Sequence, residues 1–393
     1  MFSFYEKLSK ELSSMKEQGV YKHFHTLTSP QGPSVTMQGR GEVIVLSSNN
    51  YLGLANHPEL IAAGKNTIDK LGCGTASVRF ICGTFDIHHQ LEQKIAQFVG
   101  TQAAVSYMSC WNANTGLFAT FLGEEDIVIS DSLNHASIID GCRMAIKAKR
   151  AVYAHDNMTE LENLLKENQN SQIKMIVTDG VFSMEGHIAK LPDIVALSKK
   201  YNAITVVDDS HATGVLGKTG RGTAEHYGML GEVDIITGTF GKALGGAAGG
   251  FIAGKKEVIE YLHQKSRPQL FSNALPPAIA AISHKAIEVL DKNPSLLQTL
   301  HENTSYFRTK IKELGYKPLD GNTPIVPIIV GDTALAISLS EKLLENGVFV
   351  TGFGYPVVPK GEARLRVQIS AALTQDLIDK ALLAFQKVSK FLS

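Results

Sequence analysis

The stretch Thr237-Gly-Thr-Phe-Gly-Lys-Ala-Leu-Gly-Gly246 places Lys242 inside a glycine-rich segment. Upstream of it, four strand-forming residues, 204–207, lead directly into Asp208-Asp-Ser-His211. An apolar run of this length, bounded by polar residues, favours a buried strand. Asp208 should therefore emerge at the carboxyl end of a strand, ahead of a turn that carries an amine.

A lysine among glycines also resembles a nucleotide-binding P-loop. That motif requires a longer spacing between its glycines and a Ser or Thr after the lysine, whereas Ala243 follows Lys242 here. Pyridoxal phosphate chemistry needs an amine for the aldehyde, a carboxylate for the pyridine nitrogen and a cradle for the phosphate. The sequence can supply all three, although a surface lysine in a glycine-rich turn explains this segment alone about as well.

Strand-like and helix-compatible segments alternate along most of the chain. Apolar runs at 103–107, 127–129, 175–177, 204–207 and 233–236 are separated by segments of mixed composition. Such alternation predicts an α/β fold with a mostly parallel sheet and helices on both faces. Ligands of these sheets bind beyond the carboxyl ends of the strands.

Length and spacing also predict the domain organisation. A chain of 393 residues exceeds one ordinary core. Helical spacing of Phe2, Tyr5, Leu8 and Leu12 predicts an opening amphipathic helix. We expect an N-terminal arm and helix at 1–56, a large cofactor-binding domain at 57–290 and a smaller C-terminal α+β domain at 291–393. The last domain should hold strands at 325–330 and 347–350 and a final helix from about residue 376 to 391.

Composition excludes several classes of partner. Lys plus Arg (38) equals Asp plus Glu (38), so no global field draws the chain to nucleic acid or to an anionic membrane. No stretch reaches the roughly 18 apolar residues of a membrane helix, and the N-terminus lacks a signal-peptide pattern. The four cysteines show no metal-finger or C-x-x-C spacing. We expect a cytoplasmic enzyme without a metal or a disulfide framework.

Polar residues after three of these strands are candidate ligands of a cofactor. Ser109 or Asn112 could cap a helix after the strand at 103–107, and a helix N-terminus suits a phosphate. Asp208 and Asp209 should point in opposite directions, so that only one of the two can serve the pyridine nitrogen. His135 follows the strand at 127–129 and could stack on the ring, although a lone histidine there is more often structural.

Read together, these residues resemble the α-oxoamine synthases, fold-type I pyridoxal phosphate enzymes that join an amino acid to an acyl-CoA. The resemblance runs from Phe4-Tyr5 to Ala371-Ala372, and its details are similar to the acetyltransferase branch, whose substrates are glycine and acetyl-CoA. The motifs are Ala76-Ser-Val-Arg-Phe-Ile-Cys-Gly-Thr84, Asn134-His-Ala-Ser-Ile-Ile-Asp-Gly141, Phe271-Ser-Asn273 and Val350-Thr-Gly-Phe-Gly-Tyr-Pro-Val-Val-Pro-Lys-Gly361.

The resemblance implies a role for each matching position. Lys242 would be the Schiff-base lysine, Asp208 the partner of the pyridine nitrogen and His135 the stacking imidazole. The remaining implied roles concern the ring hydroxyl (His211, Ser183), the phosphate (the backbone at Cys110 and Trp111, with Thr239), the phosphate contribution from the second subunit of a homodimer (Ser272, with Phe271 or Asn273) and the substrate carboxylate (Arg366, Asn49).

The implied reaction joins glycine to acetyl-CoA, giving 2-amino-3-oxobutanoate and CoA. It is reversible, and the cleavage direction belongs to threonine breakdown. Three alternatives stay open: a related synthase that makes 8-amino-7-oxononanoate or transfers palmitoyl to serine, a nicotinamide-linked dehydrogenase, and a non-catalytic partner subunit. No G-x-G-x-x-G follows a candidate first strand, which disfavours the dehydrogenase. The retention of Lys242, Asp208 and His135 disfavours the non-catalytic subunit.

Overall fold

A computed structural model describes residues 3–391 of the chain. It divides into two compact units. One is Asn49–His301, and the other joins the chain before Asn49 to the chain from Glu302 onward. The expected boundaries at residues 57 and 291 stay a prediction.

The strands and helices follow in chain order. The strands are β1 (Ser34–Met37), β2 (Gly41–Val45), β3 (Ala103–Tyr107), β4 (Ile127–Asp131), β5 (Lys149–Tyr153), β6 (Lys174–Asp179), β7 (Ile204–Asp208), β8 (Ile235–Thr239), β9 (Gly250–Gly254), β10 (Ile325–Gly331), β11 (Val348–Phe349), β12 (Thr351–Phe353) and β13 (Ala363–Gln368). The helices are α1 (Phe4–Glu17), α2 (Pro58–Leu71), α3 (Arg79–Cys82), α4 (Asp86–Val99), α5 (Cys110–Phe121), α6 (Ala136–Met144), α7 (Met158–Glu167), α8 (Leu191–Tyr201), α9 (Thr223–His226), α10 (Lys256–Lys265), α11 (Arg267–Phe271), α12 (Pro277–Lys292), α13 (Ser295–Glu313), α14 (Thr333–Glu345) and α15 (Gln375–Val388), with short 3-10 turns at Leu54–Asn56 and Ser389–Phe391.

The larger unit is built on a sheet with strand order β3-β9-β8-β7-β6-β4-β5. Strands β8, β7, β6, β4 and β5 pair in parallel, whereas β9 runs antiparallel to both of its neighbours. The predicted mostly parallel sheet is confirmed. The five apolar runs correspond to β3, β4, β6, β7 and β8, whereas β5 and β9 carried no comparable signal.

Alternate residues along these strands pack into two separate hydrophobic cores. Val128, Met175 and Val177 pack with the side chains of α5, α6 and α10 in one core. Ile127, Ile129 and Ile176 pack with those of α7 and α8 in the other. Successive side chains of a strand point to opposite faces, so helices cover both faces of the sheet.

Four strands of the sheet end in polar residues. Asp131, Asp179, Asp208 and Thr239 are the last residues of β4, β6, β7 and β8. Because these four strands are parallel, their carboxyl ends meet at one edge of the sheet. The local sequence thus gathers three carboxylates and a hydroxyl where a ligand of this fold would bind.

The second unit contains two small sheets, β10-β13-β12 and β1-β2-β11. In the first, all pairs are antiparallel, and α14 and α15 pack over its apolar residues. The predicted strand at 325–330 is β10, and the predicted final helix is α15 followed by a 3-10 turn. The predicted opening helix is α1, which begins at Phe4. Phe2 of the predicted apolar stripe lies outside the described residues. Among residues 3–391, no helix combines the length and apolarity that crossing a bilayer requires.

Candidate active site

The carboxylate of Asp208 is the centre of a buried polar network. Its side chain is 3% exposed. Oδ2 accepts hydrogen bonds from Nδ2 of Asn114 (2.6 Å) and from the thiol of Cys110 (3.5 Å), and Oδ1 accepts one from the backbone N–H of Ser210 (2.9 Å). Burial and the adjacent Asp208 charge raise the pKa of the Cys110 thiol well above its usual range, so that it stays a donor.

Asn114 connects Asp208 to His135. The second hydrogen of its side-chain amide goes to Oγ of Ser137 (2.9 Å), and that hydroxyl bonds Nδ1 of His135 (2.8 Å). The edge of the His135 ring meets Trp111, with ring centroids 6.0 Å apart and planes at 82°. A hydrogen-bonded chain of three links therefore joins the predicted stacking imidazole to the predicted carboxylate.

Asp179 lies directly opposite Asp208 in the register of β6 and β7. Its Oδ2 accepts the backbone N–H of His135 (2.7 Å), and its own backbone N–H bonds Oδ1 of Asn134 (2.7 Å). Burial, reinforced by the charge of Asp208, raises the pKa of the Asp179 carboxyl well above its usual range, against the opposing pull of that hydrogen bond and of Lys242. The amine of Lys242 thus lies within electrostatic reach of this edge of the sheet.

Asp209 turns away from this network, as alternation along a strand predicts. Its two carboxylate oxygens accept the hydroxyl of Thr223 (2.7 Å) and the Thr223 backbone N–H (2.9 Å). Burial raises the pKa of Asp209 to about 7. Asp209 therefore secures the start of α9, and Asp208 alone of the pair faces Asn114 and Cys110.

The segment that carries Lys242 leaves the end of β8 and returns as β9. The hydroxyl of Thr239 closes this loop, because it donates to the carbonyl of Gly249 (3.0 Å) and accepts from the backbone N–H of Gly241 (3.0 Å). Lys242 is half-buried within it. The turn is held at its base, which fixes where the lysine leaves the sheet.

Helix α5 begins next to that loop. Ser109 caps it by accepting the N–H of Asn112 (3.2 Å), and Ser109 also pairs with Gly249 in an isolated parallel bridge. A Cβ on Gly250 would collide with the backbone of Ser109 and Cys110, so the close approach of the helix to β9 requires glycine there. Of the two predicted caps, Ser109 is the one observed.

His211 is 6% exposed and bonds the hydroxyl of Tyr51 through Nδ1 (2.8 Å). The two rings meet edge to face, with centroids 6.0 Å apart. Ser183 lies half-buried in the loop after β6. Both residues follow strands whose carboxyl ends carry the aspartates described above.

Arg79 has a structural partner. Its guanidinium forms a two-pronged ion pair with Glu92 and bonds the hydroxyl of Thr84 (2.9 Å), while Glu92 accepts the N–H and the hydroxyl of Ser106, both at 2.9 Å. A cavity of about 690 Å³ lies beside this pair, and Lys242 and Asp208 do not line it. The sequence leaves Arg79 open as a residue of the site or as one half of a structural ion pair, and the pair with Glu92 favours the second interpretation.

The remaining predicted site residues are not part of the hydrogen-bonded network around Asp208. Arg366 is 7% exposed on β13 of the second unit, where it pairs in register with Pro327 and Thr351. Asn49 is the first residue of the larger unit, and its Oδ1 is buried without a hydrogen-bond partner. Phe271 is 73% exposed at the end of α11, followed by half-buried Ser272. Their roles stay predictions.

Sequence reasoning missed four residues of the network. Asp179 had a usable signal, since it follows an apolar run just as Asp208 does. Asn114 and Ser137 lie inside helices, and only the packing of α5 against α6 brings them together. Tyr51 is distant from His211 in sequence, and no local pattern links the two.

The donor set fits pyridoxal phosphate. A buried carboxylate suits a protonated ring nitrogen, and the first N–H groups of α5, beside the Thr239 hydroxyl, suit a phosphate. The bare Cα of Gly250 lets helix and strand converge there. Lys242 supplies the amine, and the imidazole of His135 is held by Ser137.

The sequence matches one protein-family model and is similar to several known enzymes. A family model described as aminotransferase class I and II matches residues 41–385. A 2-amino-3-ketobutyrate coenzyme A ligase of Escherichia coli K12 is 49% identical over 389 residues, covering 98% of each chain. An 8-amino-7-oxononanoate synthase of Thermoanaerobacter pseudethanolicus is 48% identical over 387 residues, covering 98% of this chain and 97% of the relative.

Among solved structures, a serine palmitoyltransferase (SPT) with its PLP internal aldimine superposes with a TM-score of 0.93. It is 31% identical in sequence, with 99% of this chain and 98% of that chain covered.

Proposed function

Because the chain belongs to the class I and II aminotransferase family, and within it to the pyridoxal phosphate-dependent α-oxoamine synthases, we propose that it is a glycine C-acetyltransferase. It condenses glycine with acetyl-CoA to 2-amino-3-oxobutanoate and CoA, reversibly. The observation that carries this choice is the 49% identity, across 98% of both chains, to a 2-amino-3-ketobutyrate coenzyme A ligase. The motifs around Arg79, His135 and Ser272 support the same branch.

When bound, pyridoxal phosphate supplies an aldehyde for the substrate amine and a protonated ring that withdraws electrons from the amino acid's Cα. Asp208 keeps the ring nitrogen protonated, because a buried carboxylate stabilises the adjacent positive charge. Asn114 and Cys110 orient that carboxylate. His135, tied to Asn114 through Ser137, supports the face of the ring.

Lys242 would hold the cofactor through its aldehyde. Its amine, when free, would be the base that takes one proton from Cα of glycine and passes it to the departing CoA thiolate. General acid-base steps of this kind are typically worth about 100- to 10,000-fold in rate. The Asp179 carboxyl lies within electrostatic reach of this amine, because the charge of Lys242 opposes the rise in the pKa of Asp179.

Phosphate and substrate carboxylate are assigned to separate groups. The N-terminus of α5 at Cys110 and Trp111, with Thr239, binds the phosphate, and His211 and Ser183 bond the ring hydroxyl. Arg366 binds the glycine carboxylate, for which its planar fork is apt. Asn49 binds the same carboxylate, to which its side-chain amide N–H groups donate.

The assembly proposed is a homodimer with active sites at the subunit interface. Its support is the family resemblance together with the exposed ring of Phe271, next to Ser272. All four cysteines are free thiols, which supports a reducing, cytoplasmic compartment. The cleavage direction would serve threonine breakdown.

A second candidate is an 8-amino-7-oxononanoate synthase, because a relative of that name is 48% identical over nearly the same length. The deciding experiment assays the purified enzyme, loaded with pyridoxal phosphate, on glycine, alanine and serine in turn. Each is paired with acetyl-CoA and with a long-chain acyl-CoA, and the released CoA thiol is measured. Fastest release with glycine and acetyl-CoA is expected; preference for alanine or serine with a longer acyl chain would overturn the proposal.

A further inference from the structure

Two histidines and an aspartate form a hydrogen-bonded chain beside the active-site edge of the sheet. Nδ1 of His155 faces the Asp131 carboxylate, at 3.1 and 3.2 Å from its two oxygens. Nε2 of the same ring lies 3.3 Å from Nδ1 of His187. Both nitrogens of His155 are therefore engaged, one with Asp131 at the end of β4 and the other with His187 in the loop after β6.

The two imidazoles meet head-on. Their planes differ by 9° and their centres are 5.6 Å apart. The ring centres are 2.3 Å farther apart than the two nitrogens (5.6 − 3.3), which is about the sum of the two ring radii. That sum is reached only when both nitrogens lie on the line joining the ring centres. This is the geometry of a hydrogen bond between coplanar rings, in which one nitrogen donates and the other accepts.

His155 joins two loops that carry predicted cofactor ligands. The His135 loop, residues 131–135, is held by Asp131, whose Oδ1 also accepts the N–H of Leu133 (2.9 Å). The Ser183 loop, residues 181–188, is closed at its base by a bridge between Val181 and Ile188. His155 contacts this loop through His187 and through the ring of Phe182, 4.4 Å away edge to face.

We propose that His155 is a positioning residue, which fixes the His135 loop against the Ser183 loop through a proton that it shares with His187. This inference rests on the proposed function, since His135 and Ser183 matter as contacts to pyridoxal phosphate. It deepens that function by naming groups outside the cofactor's contacts that set its binding.

The hydrogen bond between His155 and His187 is sensitive to acid but not to mild alkali. When His155 is protonated on both nitrogens, its Nε2–H donates to Nδ1 of His187. When His155 is neutral, its Nε2 instead accepts from the Nδ1–H of His187. A further proton on His187 leaves two N–H groups facing each other, and the bond is lost. Acid therefore breaks this hydrogen bond between the loops, whereas mild alkali preserves it.

The charges around His155 favour the protonated ring. Burial alone would lower the pKa of His155, but the hydrogen bond and charge of Asp131, with the charges of Asp156 and Glu185, outweigh it and raise the pKa. Lys190 lies 4.0 Å from Asp156 and offsets part of that carboxylate's charge. These groups therefore favour the form of His155 that donates through Nε2.

The test compares His187→Gln with His187→Phe. Glutamine accepts from His155 at every pH because its oxygen does not titrate, whereas phenylalanine keeps a ring but offers no acceptor. The dissociation constant for pyridoxal phosphate is measured for the full chain between about pH 5 and pH 8. Exposed His226 supplies the matched control, His226→Gln.

We expect His187→Phe to weaken cofactor binding about three- to tenfold at neutral pH, the range of one lost hydrogen bond. His187→Gln should bind as tightly as the parent at neutral pH and should lose less affinity on acidification. His226→Gln should follow the parent. If His187→Gln and the parent have the same acid limb, the positioning role is wrong.

A second readout does not depend on the cofactor. Histidine-selective nitrogen NMR on the full chain should detect coupling between Nε2 of His155 and Nδ1 of His187, present at neutral pH and absent in acid. Its absence at neutral pH overturns the inference. A chain that shows the coupling but binds no pyridoxal phosphate would instead contradict the proposed function, so the two failures are distinguishable.

Discussion

The side-chain amide of Asn114 donates a 2.6 Å hydrogen bond to the carboxylate of Asp208 and a second bond to Ser137, which holds His135. One residue inside α5 thus orients the two side chains expected on the pyridine ring. No local sequence pattern predicts the contact between Asn114 and Ser137. The packing of α5 against α6 brings the two side chains together.

Asn114→Leu should leave Asp208 with one charge-assisted hydrogen bond fewer. A bond to a charged group contributes about 1.5–3 kcal/mol, so we expect turnover to fall about 10- to 100-fold. Steady-state rates of the cofactor-loaded variant measure this. Thr120→Val on the same helix removes a hydroxyl that bonds the carbonyl of Gly116, and it should leave turnover unchanged. Equal losses in both variants would show that the helix, not the amide, matters.

Arg366→Ala should raise the KM for glycine far more than the KM for acetyl-CoA, because only glycine carries the carboxylate. The loss of a paired, charge-assisted contact predicts an increase of about 10- to 100-fold. Arg40, in a surface pair with Glu341, provides the control Arg40→Ala, which should change neither constant. Equal increases for both substrates would contradict the carboxylate role.

Arg79→Met should destabilise the fold by about 3–5 kcal/mol, because it leaves Glu92 buried without its countercharge. Urea unfolding measures the difference. Lys7→Met breaks an exposed pair with Glu11 and should change the free energy of unfolding by less than about 1 kcal/mol. A stable Arg79→Met variant with a raised KM for acetyl-CoA would contradict this structural role and would indicate that Arg79 contacts the substrate.

Asp209 should make the protein less stable as pH rises. Its pKa is about 7 in the folded chain and about 4 when unfolded, so between these values the unfolded state binds fewer protons and the free energy of unfolding falls. Asp209→Asn should remove this slope, as seen by urea unfolding at about pH 5 and pH 7.5. Parallel slopes in variant and parent would mean that Asp209 is ionised in the fold.

Local sequence predicted five of the seven strands of the large sheet and Asp208 at its carboxyl edge, but it missed β5, β9 and Asp179. Asp208 and His135 were predicted because each follows an apolar run, and Ser109 because it precedes a helix. β9 was missed because Gly250–Gly254 is rich in glycine and alternates poorly. The contacts of Tyr51 with His211, and of His155 with His187, join residues from separate loops, so only the folded chain reveals them.

Lys242 carries the central claim that pyridoxal phosphate binds covalently to this chain. The most direct measurement reduces the cofactor-loaded protein with borohydride and maps the labelled peptide, with Lys242→Ala and the exposed-lysine variant Lys255→Ala treated alongside. We predict a visible absorption band that bleaches on reduction, label on Lys242 alone, and loss of band, label and turnover in Lys242→Ala only. A label on another residue, or full activity in Lys242→Ala, would contradict the account.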